Sequence, residues 1–462
     1  MKSANIGPVL FVALLAGCSG SSNDASPGSS TGAGGATKGT HFVPTASPWT
    51  TPAATAVLAP PQGFGQLANA YYTVYDIDGD GLKDLVQTSQ AGTGGKPIPV
   101  DISDAYWLVY RGTATGFATT ATQWPLPPSM PSHWNMIDMD GDGLVDLTMR
   151  SDDDTTWSVW TNDGTAFAAT PKTWSLPAAL ATQFKAGNET YVAFLDLDGD
   201  GKLDLVLPSA PASPEDQANG RVPLGTSDAP FWNVYANDGS GFASEPTTWS
   251  VPPIPNDADP THFFFADDTG FNRLLDMDGD GKLDLVQTGP WIYDDPTGDR
   301  PRDLTDGAGR YWNVYLNDGS SFASTPLRWS LDGEAGDAIE SAAVTQMAIV
   351  DLDGDKKPEV VVSGTSDGSG PALFDASAPY WKVYASTGSG FATTATHWAI
   401  PVGDDDIGSQ FAEISGAVWG LIDIDSDGRL DFVQTADPTS TTTWSTLGDA
   451  SAPYWNVYRN VP

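Results

Sequence analysis

The 462-residue sequence has a single cysteine, Cys18, so no intrachain disulfide can form and any staple must be of another kind. Positive charge is scarce as well. Only 21 Lys and Arg stand against 59 acidic residues, a formal net charge of −38. A field of that sign repels phosphate backbones and anionic lipid surfaces, which removes nucleic acid and direct membrane adsorption as partners. Histidine is rare: His41, His133, His262 and His397 fall in different parts of the chain, and none sits in a zinc, triad or nucleophile-elbow pattern. Glu is almost missing, at seven of the 59 acidic residues, so the acidity is carried by 52 Asp. Glu favours helices and Asp favours turns and metal loops, so a merely solvated acidic surface does not account for the skew. No sustained helical period runs through the chain, and 49 Gly with 36 Pro favour turns over long helices. Hydrophobic residues still make up 40%, enough for a sizeable core and too many for global disorder.

The first residues account for the cysteine. Lys2 precedes a short apolar run, Val9 to Leu15, which ends in Leu15-Ala16-Gly17-Cys18. Such a run with small residues at its end reads as a secretory signal and is too short for a membrane span. The Leu-Ala-Gly-Cys ending resembles the lipobox of bacterial lipoproteins. That resemblance implies cleavage before Cys18, acylation of Cys18 and, with Ser19 following, an outer-membrane location held only through the lipid anchor. Residues 1–17 are then the signal peptide, 18–40 a flexible tether rich in Gly, Ser, Ala and Thr, and 41–462 the folded domain.

Internal repetition sets the architecture. The segment Asp76-Ile77-Asp78-Gly79-Asp80-Gly81-Leu82-Lys83-Asp84 returns in form at Asp138, Asp196, Asp276, Asp351 and Asp423. Each copy is followed by an aromatic-Trp-x-Val-Tyr segment centred on Trp107, Trp232, Trp312, Trp381 or Trp455, with a variant at Trp157. A polar turn comes next, then Phe with Trp seven residues later: Phe117/Trp124, Phe167/Trp174, Phe242/Trp249, Phe322/Trp329 and Phe391/Trp398. Each unit reads as four strands, into the Asp segment, out of it, the Trp-x-Val-Tyr segment and the Phe-to-Trp segment. Four-stranded units repeated radially make an all-β propeller. The sixth unit lacks its fourth strand at the C-terminal end, and Phe42 and Trp49 supply the same spacing at the N-terminal end. The expectation is a six-bladed β-propeller whose N-terminal strand completes the last blade and removes the open edges.

The Asp segment has the composition of a hard-cation loop. A calcium ion takes six to eight oxygens at short range. Asp at positions one, three, five and nine, with the carbonyl of position seven, curls five oxygens around one point, and Gly at position six permits the bend. Without a metal, four carboxylates so close repel one another. An EF-hand needs a Glu at position twelve, and here that position is Gln87, Met149, Leu207, Gln287, Val362 or Gln434.

With that alternative gone, the chain resembles the FG-GAP or VCBS repeat family over about residues 42 to 462. Members include integrin α-subunit propellers and bacterial surface and toxin proteins. The resemblance implies calcium held in each Asp loop. The carboxylate ligands would be Asp76, Asp78, Asp80 and Asp84; Asp138, Asp140, Asp142 and Asp146; Asp196, Asp198, Asp200 and Asp204; and Asp276, Asp278, Asp280 and Asp284. The carbonyls would come from Leu82, Leu144, Lys202 and Lys282. The fifth loop departs from the pattern. Asp351, Asp353 and Asp355 are followed by Lys356 in place of Gly, Lys357 at the carbonyl position and Glu359 in place of the last Asp, which puts its occupancy in question. The sixth has Asp423, Asp425, Asp427, Arg429 and Asp431, with Ser426 for a Gly.

Alternating strand directions put the Asp loops and the polar turns on one face, and the connections between second and third strands on the other. Those connections carry the long insertions, and loops on a rigid scaffold are where binding usually resides. Twelve of the 17 Trp fall at the repeated strand positions and read as packing residues. Trp291, Tyr293 and Trp444 lie in insertions and are the ligand-binding candidates. Paired carboxylates are everywhere, so no acid/base pair stands out and no catalytic residue is assigned. The reading is a surface-anchored binding or adhesion module for a glycan or protein ligand. The alternative is a secreted, lyase-like polysaccharide-degrading enzyme on the same scaffold.

Overall fold

The computed structural model describes residues 39–52, 72–91, 97–99, 106–127, 135–151, 155–177, 193–211, 221–226, 228–253, 272–289, 303–341, 346–366, 371–375, 377–401, 419–437, 445–449 and 452–462. The signal segment, Cys18 and all of the tether before Gly39 lie outside them, as do Trp291, Tyr293 and Trp444.

Six four-stranded antiparallel blades form the expected ring. Blade three shows the pattern: Ala193–Leu195, Asp204–Leu207, Ala229–Tyr235 and Thr247–Ser250 pair in that order. Blade six is assembled from both ends of the chain. Trp419–Ile422, Asp431–Gln434 and Ala452–Tyr458 are followed by the N-terminal strand Ser47–Thr50, with Trp49 opposite Trp455. A second short pair, His41 opposite Val461 and Phe42 opposite Asn460, fastens the same closure.

Propeller sheets are buried on both faces, so second strands such as Asp204–Leu207 carry consecutive apolar residues after the Asp. Leu205 and Leu207 turn toward blade two while Val206 turns toward blade four. The interior is thus divided into six cores, one between each pair of neighbouring blades. The third- and fourth-strand Trp of a blade lie opposite each other, as Trp232 does to Trp249 and Trp312 to Trp329. The Phe of the following blade packs edge-on against that pair. Phe322 stands 5.3 Å from Trp232 and 6.2 Å from Trp249, and Phe42 stands 5.7 Å from Trp381 and 5.8 Å from Trp398. Edge-to-face pairs at this range add to the area they bury.

This corrects one expectation. The fourth strand does not span Phe to Trp: the strand is the four residues around Trp, and the Phe belongs to the preceding turn, bridged to an Asn as in Asn237 with Phe242. The bend between them lets the Phe ring reach the neighbouring blade. Two further elements were not foreseen. A helix, Glu334–Ser341, fills the connection from blade four to blade five and buries Ala335 and Ile339, an i, i+4 pair. The second-to-third connections of blades one, three, five and six open as two-stranded ribbons, for example Ser209–Pro211 against Arg221–Thr226.

Candidate metal centres

Each Asp loop joins the first and second strands of its blade, and the six stand side by side on one face. Gly79 of the first loop meets the Leu144 side chain of the second, Gly141 meets Lys202, Gly199 meets Lys282, Gly279 meets Lys357 and Gly354 meets Arg429. The polar turns lie on the same face: Gly164, Gly239 and Gly319 abut the carbonyls of Asp78, Asp140 and Asp198 in the preceding blade.

Position one organises the loop. Asp76 Oδ1 accepts the Gly79 N–H at 2.8 Å and its Oδ2 accepts the Gly81 N–H at 2.9 Å. The same carboxylate does this in loops two to five, and in loop six Asp423 accepts from Asp427 and Gly428. The turn needs left-handed backbone twice, at position four (Gly79, φ 74°) and position six (Gly81, φ 87°). Lys356 at φ 69° and Ser426 at φ 58° adopt it without being Gly, which is strained for an L side chain. Lys356→Gly is expected to raise unfolding stability by about 1 kcal/mol, read as a higher urea midpoint; an unchanged or lower midpoint contradicts it.

Position nine ties the loop to the sheet. Asp284 Oδ2 accepts the Met277 N–H at 3.0 Å and its Oδ1 accepts the Asn317 N–H at 2.8 Å. The Asn317 side chain then donates to Leu283 O in its own blade and to Leu197 O in blade three. Asn162, Asn237 and Asn460 make the same clasp to blades one, two and five. Asn162, Asn237 and Asn317 fall in the polar turns of the sequence; the available signal was Asn two places after the third strand in blades two, three, four and six, with Gly112 and Ser386 there in blades one and five.

Carboxylate oxygens of positions one, three and nine converge within 4.8 Å in loops one, two and four, and those of positions one, three and five in loops three and five. The fifth loop is therefore assembled like the others, with Glu359 Oε2 taking the Leu352 N–H at 2.8 Å where Asp does so elsewhere. Several buried oxygens have no hydrogen-bond partner among the described residues: Asp140 Oδ1, Glu359 Oε1, Asp425 Oδ1 and Asp431 Oδ2. Burial, and then the charge of neighbouring Asp, pushes the position-nine carboxyls far above the usual range. Asp84 rises to about 6, Asp146, Asp204 and Asp284 to about 7, Asp431 to about 8 and Glu359 to about 9. Converging carboxyl oxygens, some buried without a hydrogen-bond partner, suit a hard cation, which takes them in the ionised form.

The position-seven carbonyls of Leu82, Leu144, Lys202, Lys282, Lys357 and Arg429 fall on the same turns. Three of these residues also place a cationic side chain on the position-five carboxylate: Lys202 on Asp200 at 2.8 Å, Lys282 on Asp280 and Arg429 on Asp427. On the opposite face, Arg310 is paired with Asp303 and Asp337, and His397 stacks on Tyr380 at 4.0 Å. Trp419 is buried and stacked on Phe432 at 5.0 Å. No helix among the described residues is long and apolar enough to cross a membrane.

No curated protein sequence matches the chain. Among solved structures it is similar to the Photorhabdus luminescens Tc holotoxin pore, at 15% identity and a TM-score of 0.49, with 91% of this chain covered. The chain spans only 15% of the length of that protein. It is also similar to an Agrocybe aegerita lectin that recognises non-reducing terminal N-acetylglucosamine, at 17% identity and a TM-score of 0.40, covering 84% of this chain and 80% of the lectin. A Xanthomonas citri GH43_1 enzyme matches at 13% identity and a TM-score of 0.25, covering 78% and 94%. Residues 138–207, from the start of the second Asp loop to the end of the second strand of blade three, match the FG-GAP-like repeat family. The chain carries an FG-GAP-like repeat at those residues, set in a six-bladed β-propeller.

Proposed function

We propose that this protein is a calcium-stapled binding module, tethered to the outer membrane through Cys18, that presents the face opposite its Asp loops to a glycan or protein ligand. The observation that carries the calcium reading is the convergence of three Asp carboxylates within 4.8 Å in each of the first five loops, beside buried carboxyl oxygens of Asp140, Glu359, Asp425 and Asp431 that have no hydrogen-bond partner among the described residues. Calcium suits the site better than magnesium because the loop offers many protein oxygens, whereas magnesium keeps more of its water. The metal neutralises the acidic loops and holds blades together where other secreted proteins use disulfides. Recognition is assigned to the insertion face, with Trp291, Tyr293 and Trp444 of the sequence's insertions as its candidates, because its connections vary in length and composition while the loop face repeats.

Calcium titration of the chelated protein tests this. Binding to several sites is expected, with a rise in melting temperature that grows with free calcium. Asp278→Asn, at a carboxylate within the fourth cluster, is expected to weaken one site by at least about tenfold. A melting curve that is the same in chelator and in millimolar calcium rejects the staple. A glycan array and a pull-down with the soluble domain, with and without calcium, test the binding role, and turnover of any glycan on the array rejects it in favour of catalysis.

A further inference from the structure

The residue leaving each third strand differs among the blades. It is Thr161, Ala236, Leu316 and Ala385 in blades two to five, but Arg111 and Arg459 in blades one and six. Both arginines turn into the Asp loop of their own blade. Arg459 Nη1 stands 2.6 Å from Asp425 Oδ2, and Arg111 Nη1 is ion-paired with Asp78 Oδ2. Each target is the position-three carboxylate, with its side chain 12% and 3% exposed respectively. Arg459 is fixed from outside the loop as well. Its Nη2 donates to Ala114 O of blade one at 3.0 Å, and its guanidinium lies 5.9 Å from the centroid of Trp49 on the N-terminal strand. In the sixth loop Arg429 also pairs with Asp427, so two guanidinium groups sit on that set of carboxylates. In the second, third and fourth loops the position-three carboxylate has weaker company. Lys172 approaches Asp140 at 3.5 Å from a side chain that is 55% exposed, and among the described residues no Lys or Arg pairs with Asp198 or Asp278.

Blades one and six are the two that flank the closure. The outer strand of blade six is not adjacent in sequence to the rest of that blade, and it meets blade one through the parallel bridge of Thr50 to Gly116 and the Thr50 N–H donated to Thr115 O, backed by one shared core. An Asp loop left uncompensated there would push the seam apart.

We propose that Arg111 and Arg459 are built-in counter-ions that stand in for a metal in the first and sixth loops, so that the ring closure holds without calcium while the second, third and fourth loops depend on it. This rests on reading the Asp loops as calcium sites. A guanidinium on the position-three carboxylate neutralises one ligand and takes the space beside it. To bind there, calcium has to displace the arginine, and for Arg459 that also breaks the hydrogen bond to Ala114 and the contact with Trp49. Arginine keeps its charge throughout the accessible pH range, so the counter-ion itself is not lost as pH changes.

Calcium binding to the full chain, followed by titration calorimetry and equilibrium dialysis, tests the proposal with Arg111→Gln and Arg459→Gln. The wild type is expected to fill no more than four of its six Asp loops in the tight phase. Each Gln variant is expected to gain one tight ion, the affinity of that site rising about tenfold or more. Each is also expected to melt lower than wild type in chelator and to recover in calcium. A wild type that fills all six loops at one affinity overturns the proposal, even where a variant does not fold. Variants that gain no ion overturn it too. A wild type that binds no calcium at all is a different result, and rejects the calcium reading itself.

Discussion

A chain that begins at residue 53 is expected to lose its cooperative melting transition. The deletion removes the fourth strand of blade six, and with it two aromatic side chains in two different cores: Phe42, 2% exposed between blades five and six, and Trp49, 1% exposed between blades six and one. Each large aromatic lost from a core costs about 3–5 kcal/mol. The ladder from Ser47–Val457 to Thr50–Tyr454 disappears as well, and Ala452–Tyr458 becomes an open edge. The sum is comparable with the whole stability of an ordinary domain, about 5–15 kcal/mol. An open edge of this kind also recruits other chains. Circular dichroism melts and light scattering are expected to show a broad transition and oligomers. Trp49→Ala, which keeps the strand, is expected to keep a cooperative melt that is lower by about 3–5 kcal/mol. A truncated monomer melting within a few degrees of the full chain would falsify the closure.

The second large effect is a reversal of pH dependence by calcium. In the metal-free protein the position-nine carboxyls titrate at about 6 for Asp84, about 7 for Asp146, Asp204 and Asp284, about 8 for Asp431 and about 9 for Glu359, because burial first and neighbouring Asp second disfavour their charged forms. Their unfolded values are the ordinary 3.8 for Asp and 4.5 for Glu. The folded state therefore binds more protons between these limits, and stability falls as pH rises. The contribution is complete below about pH 4 and is lost as pH climbs through the folded values, at up to about 1.4 kcal/mol per pH unit for each carboxyl. Calcium requires the same carboxyls to be ionised, so its stabilisation grows over the same window. In chelator the melting temperature is expected to drop between about pH 5.5 and 8, where exposed carboxylates no longer titrate. In millimolar calcium it is expected to hold or rise. A gap between the two curves that does not widen with pH would count against buried carboxyls as the metal ligands.

Much of this was open to reading because the chain repeats itself. Six copies of one loop in register with six copies of one Trp segment gave the blade count, and the misplaced Phe42 and Trp49 gave the closure. The loop ligands followed from Asp spacing, since metal chemistry constrains neighbours in sequence. Contacts between repeats were harder, because no local pattern encodes them. The Phe rings were placed in a strand when they belong to turns that reach the next blade. The helix Glu334–Ser341 occurs once and is short, so it had no repeat to reinforce it. Asn317 resembled any turn Asn until its side chain was seen holding the Leu197 carbonyl, 120 residues away. Arg111 and Arg459 were unremarkable as isolated basic residues, and they matter only because the fold brings them onto Asp78 and Asp425.

The division of blade six between the two ends also sets an order of events. Thr40 and Val461, joined by a hydrogen bond across the closure, are separated by 421 residues. The strand that is made first is therefore the last to find its partner. Five blades contain all their own strands and can pair as they emerge, while Ser47–Thr50 waits with Trp49 uncovered until Ala452–Tyr458 has been synthesised. A pairing that distant is slow to form, since the chain entropy is surrendered before any contact rewards it. Ring closure is then the late step of folding, and the waiting strand is the segment most exposed to mispairing until its partner has been made.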